Sequence, residues 1–176
     1  MDIEKLRRIK VIALDIDGVM TDGGLLAIPG GEVLRSFNAK DTFAVRAAGV
    51  LGMTVAVFTG GWDESVHRRL LNLGVKEENI HMSCRGKINN FNKFCSEHGF
   101  DPSEVLYIGD DIPDVQVLKA CGMGVVPADA WTEAKESADY ISPFGGGRGC
   151  VRDAIEQVMK AQGKWNFGPD NYERIF

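Results

Sequence analysis

The sequence has few cysteines, and none of the four forms a CxxC pair or a cysteine and histidine pattern with zinc-ligand spacing. Cysteines spaced so widely indicate reduced thiols, not a disulfide scaffold. The chain also lacks an apolar run long enough for a membrane span or a secretory signal, because the stretch near the N-terminus ends at Asp15. We therefore expect a protein of the cytoplasm.

An excess of basic residues is also missing. The formal net charge of -5 argues against general binding to nucleic acid or to an anionic membrane surface. Hydrophobic residues at 44% and charged residues at 26% are typical of globular proteins. Since 176 residues suit one core, we expect a single domain over residues 1–163. Residues 164–176 would form a tail that is either disordered or docked elsewhere.

Short apolar runs alternate with segments of helical spacing. The runs predict strands at 10–14, 54–58 and 105–108, with shorter ones near 124–126 and 140–141. Helical spacing predicts helices at about 42–51, 63–73, 89–98 and 151–162. This alternation predicts an α/β fold with a doubly wound parallel sheet. Glycine pairs and brief apolar stretches at about 19–37 predict a β-hairpin flap.

Acidic and hydroxyl side chains follow three of the predicted strands. Ligands of doubly wound folds bind beyond the carboxyl ends of the strands, so these side chains mark a candidate site. Carboxylates gathered at one sheet edge need a cation, and oxygen ligands without histidine or cysteine favour magnesium, which often also holds a phosphate. The residues are Asp15, Asp17, Thr59, Asp110, Asp111 and Asp114.

Four motifs in this order resemble those of the haloacid dehalogenase superfamily: Asp15 to Val19, Thr59-Gly60, Lys87, and Gly109 to Asp114. The resemblance implies a phosphatase that uses magnesium and has the Rossmann-like fold of that family.

The resemblance also implies catalytic roles. Asp15 would attack the phosphate and carry an aspartyl-phosphate, and Asp17 would act as general acid and base. Thr59, Gly60 and Lys87 would bind the phosphoryl group.

Magnesium ligands follow from the same resemblance. Asp15 and Asp110 would bind the metal through their carboxylates and Asp17 through its backbone carbonyl, while Asp111 or Asp114 would support them from behind.

Residues 37–41 and 145–153 resemble a subfamily of sugar-acid phosphatases that have a flap and no cap domain. That likeness implies hydrolysis of 3-deoxy-D-manno-octulosonate 8-phosphate in lipopolysaccharide precursor synthesis. A nine-carbon keto-deoxy sugar acid phosphate is the alternative. It also implies a homotetramer whose subunits complete each other's sites.

Predicted sugar contacts are Asp41, Gly61 and Arg69. Gly61 departs from the arginine usual in the subfamily. Asp41 is open to two interpretations, a sugar contact or a helix N-cap, and Arg69 would reach a substrate carboxylate in a neighbouring subunit. Trp165 and Phe167 of the tail could reach a neighbour's site.

Two functions without turnover compete with a phosphatase. A phospho-receiver domain shares the sheet and the acidic cluster, but it carries adjacent acids after its first strand, whereas this chain has Asp15 and Asp17 separated by one residue. A scaffold that has lost activity is the other possibility, and intact Asp15 and Asp17 argue against it.

Overall fold

The computed structural model describes residues 1–168 and 170–175, so positions 169 and 176 of the predicted tail lie outside the described residues. A sheet of six parallel strands forms its centre, in the order β5-β4-β1-β6-β7-β8. Its strands are β1 (Val11–Leu14), β4 (Thr54–Phe58), β5 (Ile80–His81), β6 (Val105–Ile108), β7 (Met123–Val126) and β8 (Tyr140–Ile141).

Seven helices lie in the described part of the chain; α1 precedes the first strand, α7 follows the last one, and the other five lie between strands. They are α1 (Ile3–Arg8), α2 (Ala39–Val50), α3 (Glu64–Asn72), α4 (Lys87–His98), α5 (Val115–Ala120), α6 (Thr132–Lys135) and α7 (Cys150–Ala161). Short 3₁₀ turns lie at Glu77–Asn79, Pro102–Glu104, Ile112–Asp114 and Tyr172–Ile175. None of the described helices has both the length and the apolar character needed to cross a membrane.

The central strand β1 is buried along its whole length, which is why it reads as a continuous apolar run. Ile12 and Leu14 belong to an apolar cluster shared with α2, α3 and α7. Val11 and Ala13 belong to a second cluster, shared with α4, α5 and α6. Helices therefore cover both faces of the sheet, and the predicted doubly wound α/β fold is confirmed.

The strand order changes direction at β1, which lies between β4 and β6. Leu14 is in register with Val57 on one side and with Ile108 on the other. The chain segments that follow these three strands consequently emerge at one edge of the sheet. Doubly wound proteins bind ligands at such a switch point.

The predicted flap is a two-stranded antiparallel hairpin of β2 (Leu26–Ala27) and β3 (Val33–Leu34), with Leu26 opposite Leu34. The strands are shorter than the two alternating stretches in the sequence. No cap domain is inserted on either side of β4.

The tail packs against its own chain. Phe43 of α2 makes edge contacts with Trp165 and Phe167, at ring-centre distances of 6.4 and 5.9 Å. The Arg152 guanidinium of α7 lies 5.2 Å from the centre of the Trp165 ring. The structure therefore places both tail aromatics against α2 and α7 of their own chain, and the expectation that they reach a neighbour's site stays a prediction.

Candidate active site

A buried ion pair lies at the carboxyl edge of the sheet. Lys87 Nζ, from the first residue of α4, is 2.9 Å from Asp15 Oδ2 and 2.7 Å from Asp114 Oδ1. The three side chains are 5%, 9% and 1% exposed, respectively. Burial alone would lower the pKa of Lys87, but the charges and hydrogen bonds of Asp15 and Asp114 outweigh it and raise that pKa. Lys87 therefore stays cationic beside Asp15.

Three carboxylates converge at this edge. One oxygen from each of Asp15, Asp110 and Asp114 lies within 4.8 Å of the others. Burial raises the pKa of Asp15 to about 7, although the charge of Lys87 opposes the effect. Burial also raises the pKa of Asp110 to about 7, and the charges of Asp15 and Asp114 add to it. Lys87 alone thus leaves negative charge uncompensated, and the donor set fits a hard divalent cation.

Gly18 lets the loop after β1 approach Asp110. Its φ is +88°, and a Cβ on this residue would lie 2.0 Å from Asp110 Oδ2. A side chain at position 18 would therefore displace one of the three carboxylates.

The Asp114 carboxylate accepts hydrogen bonds from several donors in addition to Lys87. The Tyr107 hydroxyl donates to Asp114 Oδ1 at 2.5 Å, and the backbone N–H of Asp110 donates to Oδ2 at 3.1 Å. Burial raises the pKa of Tyr107 well above its ordinary value, so the hydroxyl stays a donor. Because its oxygens already bind these donors and Lys87, Asp114 is suited to positioning Lys87 and the Asp110 backbone and not to acting as the nucleophile.

The Asp111 carboxylate caps the 3₁₀ turn that follows it, because it accepts a hydrogen bond from the Ile112 N–H at 2.7 Å. It is not one of the three converging carboxylates. Of the two predicted supporting acids, the structure brings Asp114 to the cluster.

Thr59 and Gly60 follow β4 at the same edge. Thr59 is buried, its N–H donates to the His81 carbonyl at 3.0 Å, and its own carbonyl accepts from Cys84 at 2.9 Å. These bonds tie the end of β4 to the segment after β5 and position the threonine beside β1. The structure thus gathers the predicted phosphate-binding segment and the acidic cluster at one edge.

Asp17 contacts a residue that the sequence interpretation missed. Arg35, which follows β3 of the flap, donates from Nε to Asp17 Oδ1 at 2.7 Å and from Nη2 to Oδ2 at 3.1 Å. Its Nη1 donates to Asp63 Oδ2 at 2.9 Å. Asp63 is also the N-cap of α3. Arg35 thereby joins the flap, the loop after β1 and the start of α3.

No local pattern in the sequence marks Arg35 as a site residue. It is one arginine in a short, irregular hairpin, and its partners lie 18 and 28 positions away. Only the flap's return to the sheet edge brings them together.

Asp41 is not the N-cap of the helix that contains it, so that predicted role is wrong. Asp41 has no exposed surface, and its oxygens accept from the backbone N–H groups of Gly149 at 3.0 Å and Arg152 at 2.8 Å. It therefore caps the start of α7, whereas Asn38 caps its own helix α2. Burial raises the pKa of Asp41. Its burial and its two backbone partners favour a structural role, and the predicted sugar contact stays a prediction.

The other two predicted sugar contacts differ in position. Gly61 is exposed, and an ideal Cβ on it would lie 4.0 Å from Arg35 Nη2. The exposed Arg69 has an Nη2 atom 3.4 Å from Thr42 Oγ1, near the start of α2. The structure brings Gly61 beside the Asp17 and Arg35 pair, while Arg69 lies against α2. The predicted contact of Arg69 with a neighbouring subunit stays a prediction.

The glycine-rich loop at 145–149 braces the loop after β1. The Gly147 N–H donates to the Val19 carbonyl at 2.9 Å, and a Cβ on Gly146 would lie 2.0 Å from the Gly18 carbonyl oxygen. This close approach gives the loop a structural role next to the site.

A family model described as haloacid dehalogenase-like hydrolase matches residues 80–149. The chain is 33% identical over 162 residues to the 3-deoxy-D-manno-octulosonate 8-phosphate phosphatase of Escherichia coli K12, covering 92% of this chain and 85% of the relative.

Solved structures agree with that relationship. A 3-deoxy-D-manno-octulosonate 8-phosphate phosphatase from Moraxella catarrhalis, in complex with a magnesium ion, a phosphate ion and a KDO molecule, has a TM-score of 0.89 and 29% identity, covering 93% of this chain and 92% of that one. The corresponding enzyme of Yersinia pestis has a TM-score of 0.88 and 30% identity, covering 92% and 86%. The extent and identity of these matches, together with the four motifs at one sheet edge, show that this chain belongs to the haloacid dehalogenase-like hydrolases.

Proposed function

We propose that this protein is a magnesium-dependent phosphatase that hydrolyses 3-deoxy-D-manno-octulosonate 8-phosphate to the free sugar acid and phosphate, a step of lipopolysaccharide precursor synthesis. The observation that carries the proposal is the buried Lys87 and Asp15 pair beside Asp110 and Asp114, in a chain 33% identical to an enzyme named for that reaction. The catalytic unit would span residues 1–163, with residues 164–176 as a tail.

Asp15 is the proposed nucleophile. Its carboxylate oxygen would attack phosphorus, the bond from phosphorus to the sugar oxygen would break, and an aspartyl-phosphate would form on Asp15. Water would then attack that phosphorus and return Asp15 with release of inorganic phosphate. Lys87, Thr59 and the backbone of Gly60 would hold the phosphoryl oxygens, since phosphoryl transfer depends mainly on positioning and charge neutralisation.

Asp17 is the proposed general acid and base. It lies two residues after Asp15 on the same loop, so it can protonate the departing sugar oxygen and later accept a proton from water. In the structure both oxygens of the Asp17 carboxylate accept hydrogen bonds from Arg35. That contact must break before Asp17 can exchange a proton with the substrate.

The carboxylates of Asp15 and Asp110 and the backbone carbonyl of Asp17 would hold magnesium, with Asp114 fixing the cluster and Asp111 shaping the adjoining turn. The bound ion would neutralise charge on the phosphate and on these acids. The Moraxella catarrhalis relative, solved with magnesium and phosphate, supports this assignment.

The test is phosphate release, with and without magnesium, from the eight-carbon substrate, its nine-carbon analogue and simple hexose phosphates. We expect magnesium-dependent release with preference for the eight-carbon ester. Asp15→Asn should abolish it, whereas Asp22→Asn, an exposed acid in the same loop, should retain it. Preference for the nine-carbon ester would contradict the proposed substrate and leave the proposed phosphatase activity standing. Absence of release from every ester would contradict the proposal and favour a receiver or scaffold role.

We further propose a homotetramer of the cytoplasm. The flap exposes three leucines, Leu25, Leu26 and Leu34, at 55%, 63% and 49%, and apolar surface of this kind supports association between subunits. The four free cysteines support a reducing compartment. Sedimentation equilibrium tests the assembly: a tetramer is expected for the native chain and smaller species for Leu26→Glu, and a monomeric native chain would contradict it.

A further inference from the structure

Arg35 of the flap holds the Asp17 carboxylate in a fork of two hydrogen bonds, at 2.7 and 3.1 Å, while its third donor group binds Asp63 at 2.9 Å. Its side chain is 12% exposed, against 74% for Arg68 of α3. Parallel, charge-assisted bonds of this type are strong and directional. The Arg35 guanidinium is therefore fixed in position and largely shielded from water.

This contact occupies both oxygens of Asp17. While the fork is in place, neither oxygen is free to reach a sugar oxygen leaving from phosphorus next to Asp15. Asp17 must therefore be released before it can transfer a proton. If the Asp17 carboxylate left and nothing took its place, Nε and Nη2 of the shielded Arg35 guanidinium would have no hydrogen-bond acceptor, which is unfavourable. Another anion is needed on the fork.

We propose that the carboxylate of the sugar acid replaces the Asp17 carboxylate on Arg35, so that Arg35 recognises the substrate's acid group and releases Asp17 for proton transfer. This inference rests on the proposed function, and it assigns to Arg35 the carboxylate contact that the sequence predicts for Arg69. The Asp17 carboxylate marks the place and the orientation in which a planar carboxylate binds this fork. Asp63 keeps Arg35 anchored during the exchange.

The surroundings of Arg35 leave room for such a ligand. A cleft of about 560 Å³ lies between the flap and the start of α3, lined by Val33, Arg35, Trp62, Asp63 and Arg68 among others. That volume is within the usual range for small-molecule sites. An ideal Cβ on Gly61 would lie 4.0 Å from Arg35 Nη2, so this glycine places no side chain beside the guanidinium.

The exchange makes the charge of the substrate a condition for proton transfer. An ester without a carboxylate would bind less well and would also leave Asp17 on Arg35, so both KM and kcat should suffer. The effect distinguishes recognition by Arg35 from a purely structural role for the flap, which would act on both kinds of ester alike.

The experiment compares 3-deoxy-D-manno-octulosonate 8-phosphate with its C1 carboxamide, which removes only the carboxylate. For the native enzyme we expect kcat/KM to favour the acid by at least about tenfold, the effect of losing a charge-assisted pair. In Arg35→Gln the KM for the acid should rise and the preference should fall to within about threefold. Arg35→Lys should restore part of the preference, since lysine keeps the charge and loses the fork.

Arg7→Gln is the control, because Arg7 is an exposed arginine of α1 that pairs with Glu4 and does not line this cleft. It should keep the native preference. The proposal is overturned if Arg35→Gln and Arg35→Lys retain the native preference, or if they lower activity toward both esters by the same factor. Native enzyme that releases no phosphate from either ester would instead contradict the proposed function.

Discussion

Lys87 Nζ lies 2.9 Å from Asp15 Oδ2, and both side chains are more than nine-tenths buried. The strand β1 delivers the acid and the first residue of α4 delivers the amine, although 72 positions separate them in the sequence. The pair combines a nucleophile with a cation that can meet the phosphoryl oxygens, and it also stabilises the fold at the sheet edge.

Replacing Lys87 by methionine should damage both properties. The change leaves buried carboxylates without their cation, so we expect the metal-free protein to lose about 3 kcal/mol of unfolding free energy. Activity should fall by at least about 100-fold. Urea unfolding and phosphate release measure the two effects. Lys93→Met, an exposed position on the same helix, is the control, and equal stabilities of the two variants would contradict the role of the ion pair.

The stability of the metal-free protein should depend on pH in a particular direction. Burial raises the pKa of both Asp15 and Asp110 to about 7, so between about pH 4 and pH 7 the folded state binds more protons than the unfolded state. Stability at these two sites is therefore present at low pH and is lost as the pH rises to about 7.

Magnesium should oppose that loss, because it binds the ionised carboxylates. Thermal unfolding is measured from about pH 5 to pH 8, once with chelator and once with saturating magnesium. As the pH rises, Tm should fall mainly in the samples with chelator. Magnesium affinity should rise over the same range. A chelated protein whose Tm rises through this interval would contradict the assignment of the cluster.

Asp41→Ala tests whether this acid stabilises the fold or contacts the sugar. Two buried N–H groups at the start of α7 lose their acceptor, and we expect a loss of about 2 kcal/mol in unfolding free energy. KM for the sugar ester should stay within about twofold, since the residue is enclosed. Asn38→Ala is the control for the loss of a helix cap at a residue with no predicted sugar contact, because it removes the cap of α2. It should lower stability and leave KM unchanged. A large rise in KM without loss of stability would restore the sugar contact.

The strands that carry the site could be predicted because parallel strands buried on both faces are continuous apolar runs. The predicted bounds of β4 and β6 are those of the structure. Four elements were missed, α1, β5, α5 and α6, which have six, two, six and four residues. Elements this short show too few repeats of their period to be recognised.

The acids of the site were also predictable, since each lies in the segment that follows a predicted strand. The contacts of Arg35 and Asp41 were not, because each depends on segments far apart in sequence meeting in space. Asp41 illustrates the limit: a local interpretation made it a cap of its own helix, whereas its partners lie 108 and 111 positions away on α7.

The most direct test of the central claim is to locate the phosphoryl group during turnover. The Asp17→Asn variant, in which water attack on the intermediate should be slow, is mixed with magnesium and the eight-carbon ester, quenched rapidly and mapped by peptide mass spectrometry. The account predicts one added phosphoryl group on Asp15, and none when Asp15 is also changed to asparagine. A phosphoryl group on another residue, or turnover that persists in Asp15→Asn, would contradict it.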